Sequence, residues 1–135
     1  MEKKIYLLPK ADAIVDPKQE DCAYPFKSLC GTGVAYQLMT LLFRRMKRTM
    51  SHQEIFLQYT AIATVADVME LVGENRILVR KGLSYLNHTN HTGLRALMEV
   101  CGIAPEQVRA YHIGFILGPC FNAAGRLDTI VHALA

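Results

Sequence analysis

GTGVAYQLMTLLFRRMKR, residues 31–48, is the stretch on which the reading of the fold turns. Val34, Leu38, Leu41 and Leu42 recur at the three- and four-residue spacing that lines one face of an α-helix. Gly31 and Gly33 mark its start. Arg44, Arg45, Lys47 and Arg48 close it, where cations suit the negative end of the helix dipole. A helix over residues 33–46 is therefore expected, its basic end either solvated or set against phosphate. The glycines of Gly31-Thr32-Gly33 either pack that helix closely onto a sheet or present backbone amides to a phosphate. No Lys-Ser or Lys-Thr follows them, so the stretch is not a P-loop.

Upstream, Ala13-Ile14-Val15 is a short apolar run closed by Asp16-Pro17, which reads as one buried strand of a parallel sheet. Downstream the pattern is helical. Ser51 with Glu54 three residues later is a capping box opening a helix that runs towards Ala63. Gly73 separates it from a helix over residues 74–86, with Ile77, Leu78, Leu83 and Leu86 as its apolar face. A fourth helix, residues 94–100, ends at Gly102 in a left-handed cap. Pro105 suits the first turn of another short helix. The apolar run from His112 breaks at Gly118-Pro119, and one more helix starts at Asp128. A single strand cannot satisfy its own backbone hydrogen bonds. The expected fold class is α/β, with this segment predominantly α-helical and carrying one short N-terminal strand.

Composition excludes more than it selects. The 135 residues suit one domain, and 51% hydrophobic with 20% charged residues describes a globular chain. A net charge of +3 is too mild to diagnose nucleic-acid binding. Cys22, Cys30, Cys101 and Cys120 form no C-x-x-C pair, which weighs against a zinc ribbon and favours reduced thiols. The longest nearly uncharged apolar run, Ile113 to Phe121, is about half what a membrane-spanning helix needs. No secretory signal opens the sequence, so a cytoplasmic chain with no membrane partner is expected.

Few residues suggest chemistry by spacing alone. His88-x-x-His91, in the doublet Asn87-His88-Thr89 and Asn90-His91-Thr92, could set two imidazoles on one helical face. Further metal ligands are lacking nearby, and a polar loop between helices is the default. Asp67 stands alone in the apolar stretch Ala63 to Met69, so it either caps a helix or meets a cation or metal. Asn122-Ala123-Ala124-Gly125-Arg126 combines small residues with an arginine. That pattern suits a packed turn or a phosphate contact.

In order along the chain, these segments are more specific. Asp16-Pro17-Lys18-Gln19, Tyr24-Pro25-Phe26-Lys27 and Leu29-Cys30-Gly31-Thr32-Gly33-Val34-Ala35-Tyr36 come first. Thr64-Val65-Ala66-Asp67-Val68, Gly73-Glu74-Asn75-Arg76 and Val79-Arg80-Lys81-Gly82-Leu83 follow. Gly93-Leu94, Ala96-Leu97 and Ile113-Gly114-Phe115 come next, then Leu117-Gly118-Pro119 and Asn122 to Leu127. From about residue 7 to the end, the chain resembles the RecJ single-strand-specific exonucleases of the DHH phosphoesterase family.

The resemblance implies an α/β fold and a manganese- or magnesium-dependent hydrolase that removes nucleotides from 5′ ends of single-stranded DNA. Relatives hold two metal ions between carboxylates and a histidine. Asp67 matches their last metal-binding aspartate. Asn122 and Arg126 match a motif that meets substrate phosphate. Many relatives carry arginine where this chain has Cys120, which puts a phosphate contact there in doubt, and His112 takes no role. By the same resemblance, residues 1–126 are the C-terminal part of a DHH domain. Residues 127–135 begin a helix leading to a DHH-associated domain that these residues do not include.

The Asp-His-His signature and the Asp-x-Asp motif of the family occur nowhere in the sequence. One aspartate cannot assemble two divalent sites. The chain alone is therefore expected to be inactive, its site completed by the upstream half of the domain. Two other readings stay open: a non-catalytic module whose basic run Arg44–Arg48 binds nucleic acid or a protein, and a DHH phosphodiesterase acting on small nucleotides.

Overall fold

Cys30 opens the first helix. Its backbone is extended and its sulfur accepts the Gly33 N–H at 3.4 Å, so the chain turns into α1 (Gly31–Arg45). The computed structural model describes residues 10–127 apart from Ser51 and Pro105, with side chains as far as residue 123. α1 starts two residues before its expected position, and of its expected stripe only Val34 packs inward, half-buried against a cluster of Leu29, Tyr36, Leu57 and Leu78. Gly33 and Tyr36 are buried, whereas Leu38, Leu41 and Leu42 are exposed.

α2 (Gln53–Ala66) is the central helix. Leu57, Gln58, Thr60, Ala61, Ile62 and Thr64 are all buried, more than one amphipathic stripe would hide. Ser51, one half of the expected capping box, lies outside the described residues. His52 leads into the helix at φ 61 with no side-chain cap. α3 (Gly73–Asn87) lies against α2 and buries Asn75, Leu78, Val79, Gly82 and Leu86. Ile77, expected on that face, is instead 55% exposed.

His91 caps α4 (Thr92–Val100) by accepting the Leu94 N–H at 3.3 Å. The helix ends as expected: Gly102 is left-handed at φ 68, and the Ile103 N–H reaches the Met98 carbonyl at 2.9 Å. Pro105 lies outside the described residues, and residues 106–109 are not helical. The chain becomes helical again at α5 (Ala110–His112), where His112 Nδ1 accepts the Arg109 N–H at 3.0 Å.

Gly118-Pro119 does not break the chain as expected. α5 runs through a π turn (Ile113–Leu117) into α6 (Gly118–Leu127). Proline inside a regular helix loses one hydrogen bond and presses on the carbonyl four residues back. Here the preceding turn is wider, with the Gly118 N–H reaching Ile113, and the helix continues past Pro119. The helix expected from Asp128, and with it the connecting segment 128–135, lies outside the described residues.

No strand occurs among the described residues. Ala13-Ile14-Val15, expected as one, has no ladder partner here, and Ala13 and Val15 are exposed. Two hydrophobic clusters hold the helices. Ile62, Leu86, Leu94, Met98, Ile103, Val108, Ile113 and Leu117 form the larger. Leu29, Tyr36, Leu57 and Leu78 form the smaller. α2 and α3 contribute to both, so their spacing sets the fit of everything else. No described helix is long and apolar enough to cross a membrane.

Candidate functional site

Asp67 sits at the C-terminus of α2, its backbone N–H donating to the Ala63 carbonyl at 2.8 Å and its side chain exposed. Asp67 thus occupies the C-cap position of α2 through its backbone, and its carboxylate faces solvent. The turn behind it is unusual. Val68 is left-handed at φ 55, a region where a β-branched residue is strained, while the Met69 N–H closes back onto Thr64 at 3.1 Å. Such strain clusters where a site over-determines the backbone. Val68 is 88% exposed and so has little burial to lose. Val68→Gly should therefore raise stability by about 1 kcal/mol, read as a higher thermal midpoint. No gain would mean that the turn is not strained.

Three contacts fix this turn to its neighbours. Thr64, fully buried, donates to the Thr60 carbonyl at 2.7 Å, and its hydroxyl meets the Cys30 sulfur at 3.4 Å. The end of α2 is thereby tied to the capping residue of α1. Asn75, also fully buried, spans the other side. Its amide donates to the Ser28 carbonyl at 2.7 Å and to the Glu70 carbonyl at 3.0 Å. Glu74 beside it accepts from Tyr24 at 2.7 Å and Gln37 at 3.0 Å. Burial first, and then this hydrogen bond to the Glu74 carboxylate, push the Tyr24 hydroxyl up to about 12. The third contact is Gly118, so close to Ala66 that an added Cβ would stand 3.2 Å from the Ala66 methyl. α6 therefore starts beside the Asp67 turn.

Convergence stops there. Asn122 is exposed and stands one turn along α6, about 6 Å from Gly118 along the axis. Arg126 lies a further turn on in the same helix, its side chain outside the description. The segment expected as a packed turn is thus helical. Among the described residues no three His, Cys, Asp or Glu side chains come together in a way that could hold a metal ion. The residues present do not fit a divalent site by themselves.

The other candidates separate. Gly33 packs closely, but against Leu29 rather than a sheet, while Gly31 has open space around it. His91 is engaged as the α4 cap and meets the Tyr59 hydroxyl at 3.2 Å; His88 contacts the Ser84 carbonyl at 3.0 Å. Both belong to the loop between α3 and α4. Arg44, Arg45, Lys47 and Arg48 are all exposed. They lie at the far end of α1 from Cys30, about 20 Å away along the helix. Spacing alone did not single out Asn75. Its place on the buried stripe with Leu78, Gly82 and Leu86 was the available signal.

No family model matches the chain. The single-stranded-DNA-specific exonuclease RecJ of Salmonella typhimurium is 44% identical over 131 residues, covering 90% of this chain and 23% of that protein. RecJ of Bacillus subtilis is 39% identical over 130 residues, covering 94% of this chain and 16% of the relative. A crystal structure of exonuclease RecJ bound to manganese superposes with a TM-score of 0.70 at 33% identity. It covers 83% of this chain and 28% of that one. RecJ from Thermus thermophilus in complex with magnesium matches at 0.70 and 33%, over 83% of this chain and 17% of that one. The chain spans less than a quarter of the length of these curated relatives. In sequence and in fold, these residues are similar to a segment of RecJ.

Proposed function

We propose that this chain forms one wall of a RecJ-type nuclease site. That site removes nucleotides from 5′ ends of single-stranded DNA, in DNA repair and recombination within the cytoplasm. It depends on manganese or magnesium. Asp67 is the metal ligand on this wall, and Asn122 and Arg126 meet substrate phosphate. The remaining ligands come from outside these 135 residues, from the upstream half of the DHH domain. In the completed domain, residues 13–15 gain the neighbouring strands they need, which accounts for an α/β class. Residues 1–126 then belong to that domain, and 127–135 lead to the DHH-associated domain.

The observation that carries this reading is the exposed Asp67 carboxylate on a strained turn, pinned from α1, α3 and α6. The outward face of α1 supports it. Leu38 and Leu41 line a groove of ≈ 330 Å³ and Leu42 is exposed on the same helix, and an apolar patch of this kind marks a surface that packs on something.

The test uses 5′-phosphorylated single-stranded DNA with manganese. The chain alone should leave it intact. Adding a polypeptide that carries the Asp-His-His motif should produce degradation, and Asp67→Ala should lower that rate by about 100-fold or more. Degradation by the chain alone would overturn the shared site. Complementation indifferent to Asp67→Ala would remove Asp67 from it.

A further inference from the structure

The geometry points to Cys101 and Cys120 as a modification site: a dithiol that peroxide closes to an intramolecular disulfide and thiol reductants reopen. The two sulfurs stand 3.7 Å apart, already in contact, and both side chains are half-buried rather than sealed in the core. Forming the bond asks them to approach by a further 2 Å or less, roughly. Nineteen positions separate the residues in sequence. Their proximity is made by the fold, as Cys101 ends α4 and Cys120 lies in the first turn of α6.

The remaining cysteines are placed differently. Cys30 is buried, its sulfur held between the Gly33 N–H and the Thr64 hydroxyl. Cys22 lies in the segment before α1, where its carbonyl accepts from Lys27. The structure therefore selects one pairing from the several that four cysteines allow.

The chemistry balances with one peroxide. The first thiolate attacks the O–O bond; its sulfur becomes a sulfenic acid, and the hydroxide released takes the thiol's proton to leave as water. The second thiol attacks the sulfenic sulfur, the S–S bond forms, and the oxygen departs as a second water. Two thiols are oxidised by two electrons and one peroxide is reduced by two. Burial, followed by the contact with Cys120, holds the Cys101 thiol above its ordinary pKa. Closure is accordingly slow at neutral pH and quickens as pH rises. Once formed, the bond fastens the end of α4 to the helix that carries Asn122 and Arg126. It requires nothing of the nuclease reading.

Tryptic mapping of the full chain tests this directly, because cleavage after Lys18, Lys27, Arg44, Arg95, Arg109 and Arg126 puts each cysteine on its own peptide. After treatment with hydrogen peroxide and quenching of free thiols by alkylation, the peptide of residues 96–109 should be joined to that of residues 110–126. The joined species should be lighter by two hydrogens than the two peptides together and should disappear on reduction. Two of the four thiols should lose their alkylation, and Cys120→Ser should abolish the link. Three results would overturn the proposal. One is a scramble of pairings that includes Cys22 or Cys30. Another is links between copies of the chain, and the third is peroxide-treated protein in which Cys101 and Cys120 remain unlinked.

Discussion

Replacing Gly82 with alanine should lower stability by about 3 kcal/mol, although the same change in an exposed helix would raise it by about 1 kcal/mol. The sign is decided by what the methyl group meets. A Cβ at position 82 would fall closer than 3.0 Å to both the Leu57 carbonyl oxygen and the Ala61 methyl. A backbone oxygen inside a helix cannot swing aside as a side-chain tip can, so α2 and α3 must separate along their whole contact. That gap opens both clusters at once, because Leu57 and Leu78 lie in one and Ile62 and Leu86 in the other. In a domain of this size the thermal midpoint should drop by about 10 °C. Gly31→Ala is the matched control: nothing lies within 4 Å of its Cβ position, and its midpoint should hold or rise slightly. A Gly82→Ala chain melting with its parent would mean that the two helices are not packed this closely.

Gly82 also shows where reading the sequence stops short. Helix existence was legible, because apolar residues at three- and four-residue spacing survive any error in register. The left-handed cap at Gly102 was legible too, since it needs one residue and no partner. Which face turns inward was legible only in part: Leu78, Leu83 and Leu86 of α3 do pack inward. The stripe Leu38, Leu41, Leu42 has the right period yet looks outward, and Ile77 does so on α3. The buried stripe of α3 is written partly in residues that hydrophobicity does not count, Asn75 for its amide and Gly82 for its missing side chain. Pro119 misled for a related reason: its effect depends on the hydrogen-bond register of the turn before it, and a π turn there removes the break. Asp67 was singled out as a lone carboxylate, and its alignment with a metal ligand came only from the resemblance. The strained Val68 backbone that holds it outward has no signature in composition or period.

The largest pH-dependent effect should come from Asn75→Asp, which leaves shape almost unchanged and reverses the hydrogen bonding. The wild-type amide donates to two carbonyls, Ser28 at 2.7 Å and Glu70 at 3.0 Å, from a fully buried position. A protonated carboxyl can donate to only one of them, and an ionised one places a buried charge against two oxygens. Its pKa in the folded chain must therefore rise well above the unfolded value of about 3.9. A raised folded pKa gives a contribution that is fully present below the unfolded pKa and lost as pH rises through the folded one. Near pH 3.5 the variant should trail its parent by about 1–2 kcal/mol, the loss of one buried hydrogen bond. Above pH 4 the gap should widen by up to about 1.4 kcal/mol per pH unit, reaching about 4 kcal/mol near neutrality. Urea titrations of both chains across that range measure it. Asn75→Ala, which carries no titratable group, should show a gap that does not move with pH. Because Asn75 ties Ser28 to Glu70, the melted contact is the one that holds the Asp67 loop against the start of α1. In the complemented nuclease assay, Asn75→Asp should therefore lose activity at neutral pH before the chain unfolds. A gap equally wide at pH 4 and pH 7 would show that the amide faces solvent rather than those two carbonyls.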